Sequence, residues 1–153
     1  MLLTIAASAQ DGKSVYAKYS DESDVSAVYI SPAMFRLIGK LPDMNVSGND
    51  VNVSGIVSGL KGMYVLDSRN KKVNQSLKDD AQRFINKGSY ELLMEAKDNG
   101  ETVRVYTVGT EKIVNSFVLL AVEPDEVTFI CLDGQMPREA LEKILAESDK
   151  FNY

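Results

Sequence analysis

Histidine is absent from the 153 residues, and cysteine occurs once. Without an imidazole there is no Ser-His-Asp or Cys-His nucleophile and no histidine-based zinc or iron site. Cys131 has no second cysteine with which to close a disulfide. Basic residues are outnumbered, 17 Lys+Arg against 22 Asp+Glu, for a net charge of −5. An acidic chain repels a phosphate backbone, and the pair Lys71-Lys72 is no basic cluster, so nucleic acid is not an expected partner. No apolar run approaches the ~20 residues of a membrane helix, so no transmembrane segment is expected; Phe117 to Val122 is of strand length.

What remains is ordinary in bulk. Hydrophobic residues make up 44% and charged residues 25%, the proportions of a globular protein. The length is that of one domain, able to bury about 68–70% of its unfolded surface without a disulfide or metal staple. The opening residues are more specific. Leu2, Leu3 and Ile5 form a short apolar stretch, Ala7-Ser8-Ala9 is the small-x-small pattern that signal peptidase accepts, and Gln10-Asp11 begin polar sequence. The expectation is a signal-peptide remnant at residues 1–9, cleaved after Ala9, and a periplasmic or secreted product. No basic residue precedes Lys13, so the expected precursor extends upstream of Met1. The alternative is an apolar first strand that happens to end in Ala-Ser-Ala. No cysteine follows the cleavage-like site to accept a lipid.

Residues 10–24, with Asp21, Glu22 and Asp24, are expected to form a flexible lead-in to a single domain at 25–147, with a tail at 148–153. Val25 to Ile30 alternates as a strand. Ser31-Pro32 starts a helix as N-cap and first helical residue, Met34, Phe35, Ile38 and Leu41 follow at helical spacing, and Pro42 ends it. Asp43 to Gly62, with Val-Ser-Gly three times, reads as a turn-rich connection. Met63 to Leu66 is a strand. Val73, Leu77, Ala81, Phe84 and Ile85 then make one stripe of a helix between Ser68 and Lys87, closed by Gly88.

Four strands follow, Tyr90–Lys97, Thr102–Val108, Lys112–Val122 and Val127–Leu132. They are joined by the short links Asp98-Asn99-Gly100, Gly109-Thr110-Glu111 and Glu123-Pro124-Asp125-Glu126, which imply an antiparallel meander. Met136-Pro137 opens a last helix with Ala140, Leu141, Ile144 and Leu145 inward. The fold class is α+β: a two-layer sandwich with a mainly antiparallel sheet of about four to six strands and two or three helices on one face.

Several of these stretches together resemble a family of exported bacterial envelope proteins, domain-of-unknown-function family 4252. They are Tyr29-Ile30-Ser31-Pro32-Ala33-Met34, Gly59-Leu60-Lys61-Gly62-Met63-Tyr64-Val65-Leu66-Asp67, Tyr90-Glu91-Leu92-Leu93-Met94 with the Asn99-Gly100 hairpin, and Leu132-Asp133-Gly134. The resemblance runs from about Val25 to Leu145. It implies a fold and an envelope location, often as a lipoprotein, and brings no catalytic residues. The chain departs from the lipoprotein pattern in having no cysteine beside its cleavage-like site.

Candidate sites are few. Asp43, Asn45 and Ser47 with Gly48 match the start of a calcium loop, but position twelve is Ser54 where a bidentate Glu is required, so Asp43–Ser54 reads as a polar loop. Asp79 and Asp80 point about 100° apart on a helix. Asp125-Glu126 form a turn, and no facing carboxyl pair of the kind hydrolysis needs is evident. Ser31 suits an N-cap better than a nucleophile. Asn45, Asn52 and Asn74 stand in glycosylation sequons that read as coincidence. Cys131 alternates with Val127 and Phe129 and reads as core. Tyr29, Tyr64, Tyr90 and Tyr106 form a faint ligand platform.

No cofactor or metal is expected, and the sequence does not identify a catalytic residue. The leading expectation is a non-catalytic module that binds an envelope protein or small ligand through its sheet face or an edge strand. The alternatives are a carboxylate- or Ser/Lys-dependent hydrolase and a structural or assembly component of the envelope.

Overall fold

The computed structural model describes residues 12–39 and 59–148. The cleavage-like segment, the polar loop Asp43–Ser54 and the tail beyond Ser148 lie outside the described residues. So do the side chains of Ile144 and Leu145.

The described elements are α1 (Gly12–Tyr19), β1 (Val25–Ile30), α2 (Pro32–Gly39), β2 (Leu60–Ser68) and α3 (Lys71–Lys87), followed by β3 (Glu91–Asp98), β4 (Glu101–Gly109), β5 (Ile113–Val122), β6 (Val127–Pro137) and α4 (Arg138–Ser148). The strands form one six-stranded sheet in the order β1-β2-β6-β5-β4-β3, every pairing antiparallel. The chain is α+β, as the sequence predicts, and β3 to β6 is the expected meander. β6 then pairs with β2 on its other side, so β1 and β3 are left at the two edges.

Alternation along β2 and β6 divides the core. Tyr64, Leu66, Cys131, Phe129, Val118 and Leu120 face one way, packed against Val73, Leu77, Ala81, Phe84 and Ile85 of α3 and Val15 and Tyr19 of α1. The α3 stripe is the one that periodicity predicts. Cys131 is fully buried within it. On the other face Met63, Leu132 and Phe117 join a smaller cluster with Phe35 of α2, Leu60, Val114, Met136, and Ala140 and Leu141 of α4. The helices therefore lie on both faces, where one was expected. The cause is connectivity: α2 and α4 each leave the sheet at its Ile30/Leu132 end and turn back over the face opposite α3.

The expected flexible lead-in is corrected by α1. Its Lys13, Ser14 and Lys18 make the segment look solvated, yet Gly12, Val15, Tyr16 and Tyr19 fall at i, i+3, i+4 and i+7, and of these Gly12, Val15 and Tyr19 are buried. Asn70, at the entry to α3, accepts a hydrogen bond from Lys72 N at 3.0 Å as N-cap. Gly88 ends α3 at φ −81, extended and not left-handed. The residue is small because a Cβ there would stand 2.6 Å from the Tyr90 ring. Met136 is 1% exposed within β6 and does not open the last helix, which starts at Arg138.

Asn99 (φ 47) and Gly100 (φ 84) make a two-residue turn with both residues left-handed, the type I′ geometry that matches the twist of the flanking strands. Among the described residues no helix is long and apolar enough to cross a membrane.

Candidate functional site: two polar clusters and a free strand edge

The first cluster forms where β2 ends. Asp67 lies opposite Thr128 in the β2–β6 register, and the Thr128 hydroxyl donates to Asp67 Oδ1 at 3.2 Å. Glu126, just before β6, meets the same carboxyl group. The neighbouring Asp67 carboxyl, through its polar contact and its charge, pushes Glu126 above the usual glutamate range, against the partial counter-effect of the Arg69 guanidinium. That guanidinium stands 3.7 Å from Glu126 Oε1. A cleft of about 420 Å³ opens beside Asp67, lined by Asp24, Val25, Ser26, Asp67 and Arg69. Asp24 sits at φ 56, a conformation an aspartate tolerates, and its carbonyl accepts from Arg69 N at 2.9 Å.

A facing carboxyl pair is therefore present where none is evident in the sequence. Asp67 lies near the end of β2 and Glu126 in the turn that leads into β6, and only the β2–β6 register brings them together. A carboxyl raised by a neighbouring carboxylate is the kind of group that acid–base work uses. Among the described residues no group of three or more ligand-type side chains could hold a metal.

The second cluster is partly buried. Tyr90 Oη donates to Ser116 Oγ at 2.8 Å, and Ser116 donates to Asp133 Oδ1 at 3.0 Å. Cys131 Sγ approaches the same carboxylate oxygen at 3.6 Å. Ser116 is 5% exposed. No imidazole stands between the carboxylate and the serine to act as base. The chain of hydrogen bonds ties the entry to β3 to β5 and β6, and its chemistry ends there.

The remaining sequence candidates separate. Tyr29 and Tyr64 are cross-strand partners with rings stacked 5.1 Å apart, and Tyr16 of α1 leans on both at 6.1 and 5.7 Å. Tyr90 packs elsewhere, edge-on to Phe84 at 5.4 Å, and Tyr106 is core. The four tyrosines do not make one platform. Ser31 is an N-cap, its Oγ accepting from Met34 N at 3.2 Å. Asp79 accepts from Gln75 at 3.0 Å, while Asp80 turns the other way to Tyr19, Lys18 and Arg83. The Asn74 amide donates to Asp125 O at 3.3 Å.

The most open feature is an edge. All eight residues of β3 are exposed, among them Leu92 (47%), Leu93 (39%) and Met94 (43%). A peripheral strand leaves one row of N–H and C=O groups without a sheet partner, and large apolar side chains there are out of place unless something covers them.

Fold and surface together define a small α+β domain built on an antiparallel sheet, with the fully exposed strand β3 at one edge and polar groups at the end of β2. Residues 19–144 match the family described as Domain of unknown function (DUF4252), and the chain belongs to that family. No curated protein matches the chain, and no solved structure does.

Proposed function

We propose that the protein is a non-catalytic interaction module of the bacterial envelope, which captures an extended strand on the outer edge of β3. The observation that carries this reading is the exposure of β3 along its whole length, with Leu92, Leu93 and Met94 at its start. Strand addition to an open edge draws affinity from main-chain hydrogen bonds and selectivity from alternate side chains. Export is supported by the apolar opening and Ala7-Ser8-Ala9, which match a signal-peptidase site. The test is a photo-crosslinking residue placed at Leu93 in intact cells, with Lys78 on the exposed side of α3 as control. An adduct from position 93 alone is the expected result, and equal yields from both positions would overturn the edge reading. N-terminal sequencing of the fractionated protein, expected to begin at Gln10, tests the export.

A second reading rests on the Asp67–Glu126 pair, of which Asp67 lines the cleft: acid–base hydrolysis with Glu126 as the proton-bearing group. Turnover of chromogenic esters or glycosides that is lost in both Glu126→Gln and Asp67→Asn would establish it. Absence of turnover in the unaltered protein would dismiss it for those substrates.

A further inference from the structure

The turn geometry determines which residues of β3 offer their backbone to a newcomer. In a two-residue type I′ hairpin the flanking residues exchange both hydrogen bonds, so Asp98 and Glu101 form a hydrogen-bonded pair. Pairs alternate from there. Ala96, opposite Val103, spends its groups on β4, while Glu95 and Lys97 turn theirs to the free edge. The register shift between Leu92 and Met94 interrupts this pattern, so the regular edge is the segment from Met94 to Asp98, with Ala96 at its middle.

We propose that this edge pairs with the same edge of a second copy, antiparallel about a two-fold axis through Ala96. The proposal rests on the edge-capture reading above and names its partner. The supporting observation is charge order. An axis at Ala96 sets Glu95 opposite the partner's Lys97, and Lys97 opposite the partner's Glu95, with both side chains on the same sheet face. An axis at Glu95 or at Lys97 instead sets like charges against each other, which is unfavourable. Charges on an edge strand ordinarily discourage pairing; in this order they oppose other registers and match their own. Within one chain Glu95 already holds Lys97 at 3.1 Å and Arg104 at 3.5 Å, so dimerisation extends an existing network. The axis residue is small, which allows a close non-hydrogen-bonded pair. Leu92 and Leu93 come to lie beside the partner's Asn99-Gly100 turn. The result is one continuous twelve-stranded sheet, closed by two-fold symmetry.

Sedimentation equilibrium over a wide concentration range tests this. The unaltered protein is expected to reach twice the chain mass. Glu95→Lys and Lys97→Glu are each expected to weaken the dimer by about tenfold, and the double variant to restore it to within about threefold. Ala96→Cys is expected to form an intermolecular disulfide across the axis, since non-hydrogen-bonded partners lie at about 4.5 Å between Cα atoms. A monomer at every concentration, or a double variant no better than the singles, overturns the proposal. The crosslink from position 93 separates the two readings. An adduct of some mass other than the dimer would leave edge capture standing without the second copy, and no adduct at all would remove both.

Discussion

Tyr19 donates its phenolic hydrogen to Asp80, 61 residues further along the chain. The contact fastens α1 to α3, and Lys18 at 2.6 Å and Arg83 at 3.0 Å complete the carboxylate's surroundings. Burial pushes the Asp80 carboxyl up, but the hydrogen bonds from Lys18 and Tyr19 outweigh it and hold the group below the usual aspartate range. A depressed carboxyl contributes stability that is present above its unfolded pKa of about 3.9 and is lost as pH falls through the lower folded value. Tyr19→Phe is expected to cost about 1.5 kcal/mol in denaturant unfolding at neutral pH. The gap from the unaltered protein should close in acid, as pH falls through the lowered folded pKa of Asp80.

Glu126 has the opposite sign. Its folded pKa is raised by Asp67, so the folded state holds a proton that the unfolded chain gives up. Stability from this group is present at low pH and declines as pH rises past the glutamate range. Glu126→Gln, which cannot ionise, is expected to melt higher than the unaltered protein at pH 7. The two should converge near pH 4, as thermal scans across pH will show.

Gly134 occupies φ 136 in β6 opposite the irregularity between Leu60 and Gly62. A Cβ there would strike Gly59 O, and would stand 2.6 Å from Leu60 Cα and 2.7 Å from Lys61 N. The obstacles are all backbone, so no side chain can step aside. Gly134→Ala is expected to cost about 3–5 kcal/mol, the sum of a disfavoured φ and overpacking. Urea unfolding measures it.

Leu77 and Leu92 make a paired comparison. Leu77 is fully buried and Leu92 is 47% exposed. Leu77→Ala should destabilise by about 2–5 kcal/mol through transfer and cavity terms. Leu92→Ala should fall within about 0.5 kcal/mol of the unaltered protein. Calorimetry at a concentration where the chain is monomeric checks both.

The fold was legible wherever the signal was local. Asp24 and Ser31-Pro32 bracket β1, a 3.6-residue stripe marks α3, and Asn99-Gly100 declares the β3–β4 hairpin. α1 is hidden in the sequence because two lysines and a serine dilute a four-residue stripe whose tyrosines bury rings while keeping polar tips. The contacts that tie the sites together were not legible, since they depend on register. Asp67 meets Glu126, and Ser116 meets Asp133, only once β6 has been laid between β2 and β5. The open edge could be read only in part: β3 was evident as a strand, but nothing in its sequence says that it comes last in the sheet.

Gly12 begins α1 where a Cβ would stand 2.5 Å from Cys131 Sγ. The helix therefore lies flush on the chain's only thiol, and a probe reaches the sulfur no faster than that helix lifts. Cys131 works as a clock. Its alkylation rate in native buffer reports departures of α1 from the sheet, over a floor set by global unfolding. The same seal keeps a lone cysteine from forming disulfides with strangers in any oxidising compartment.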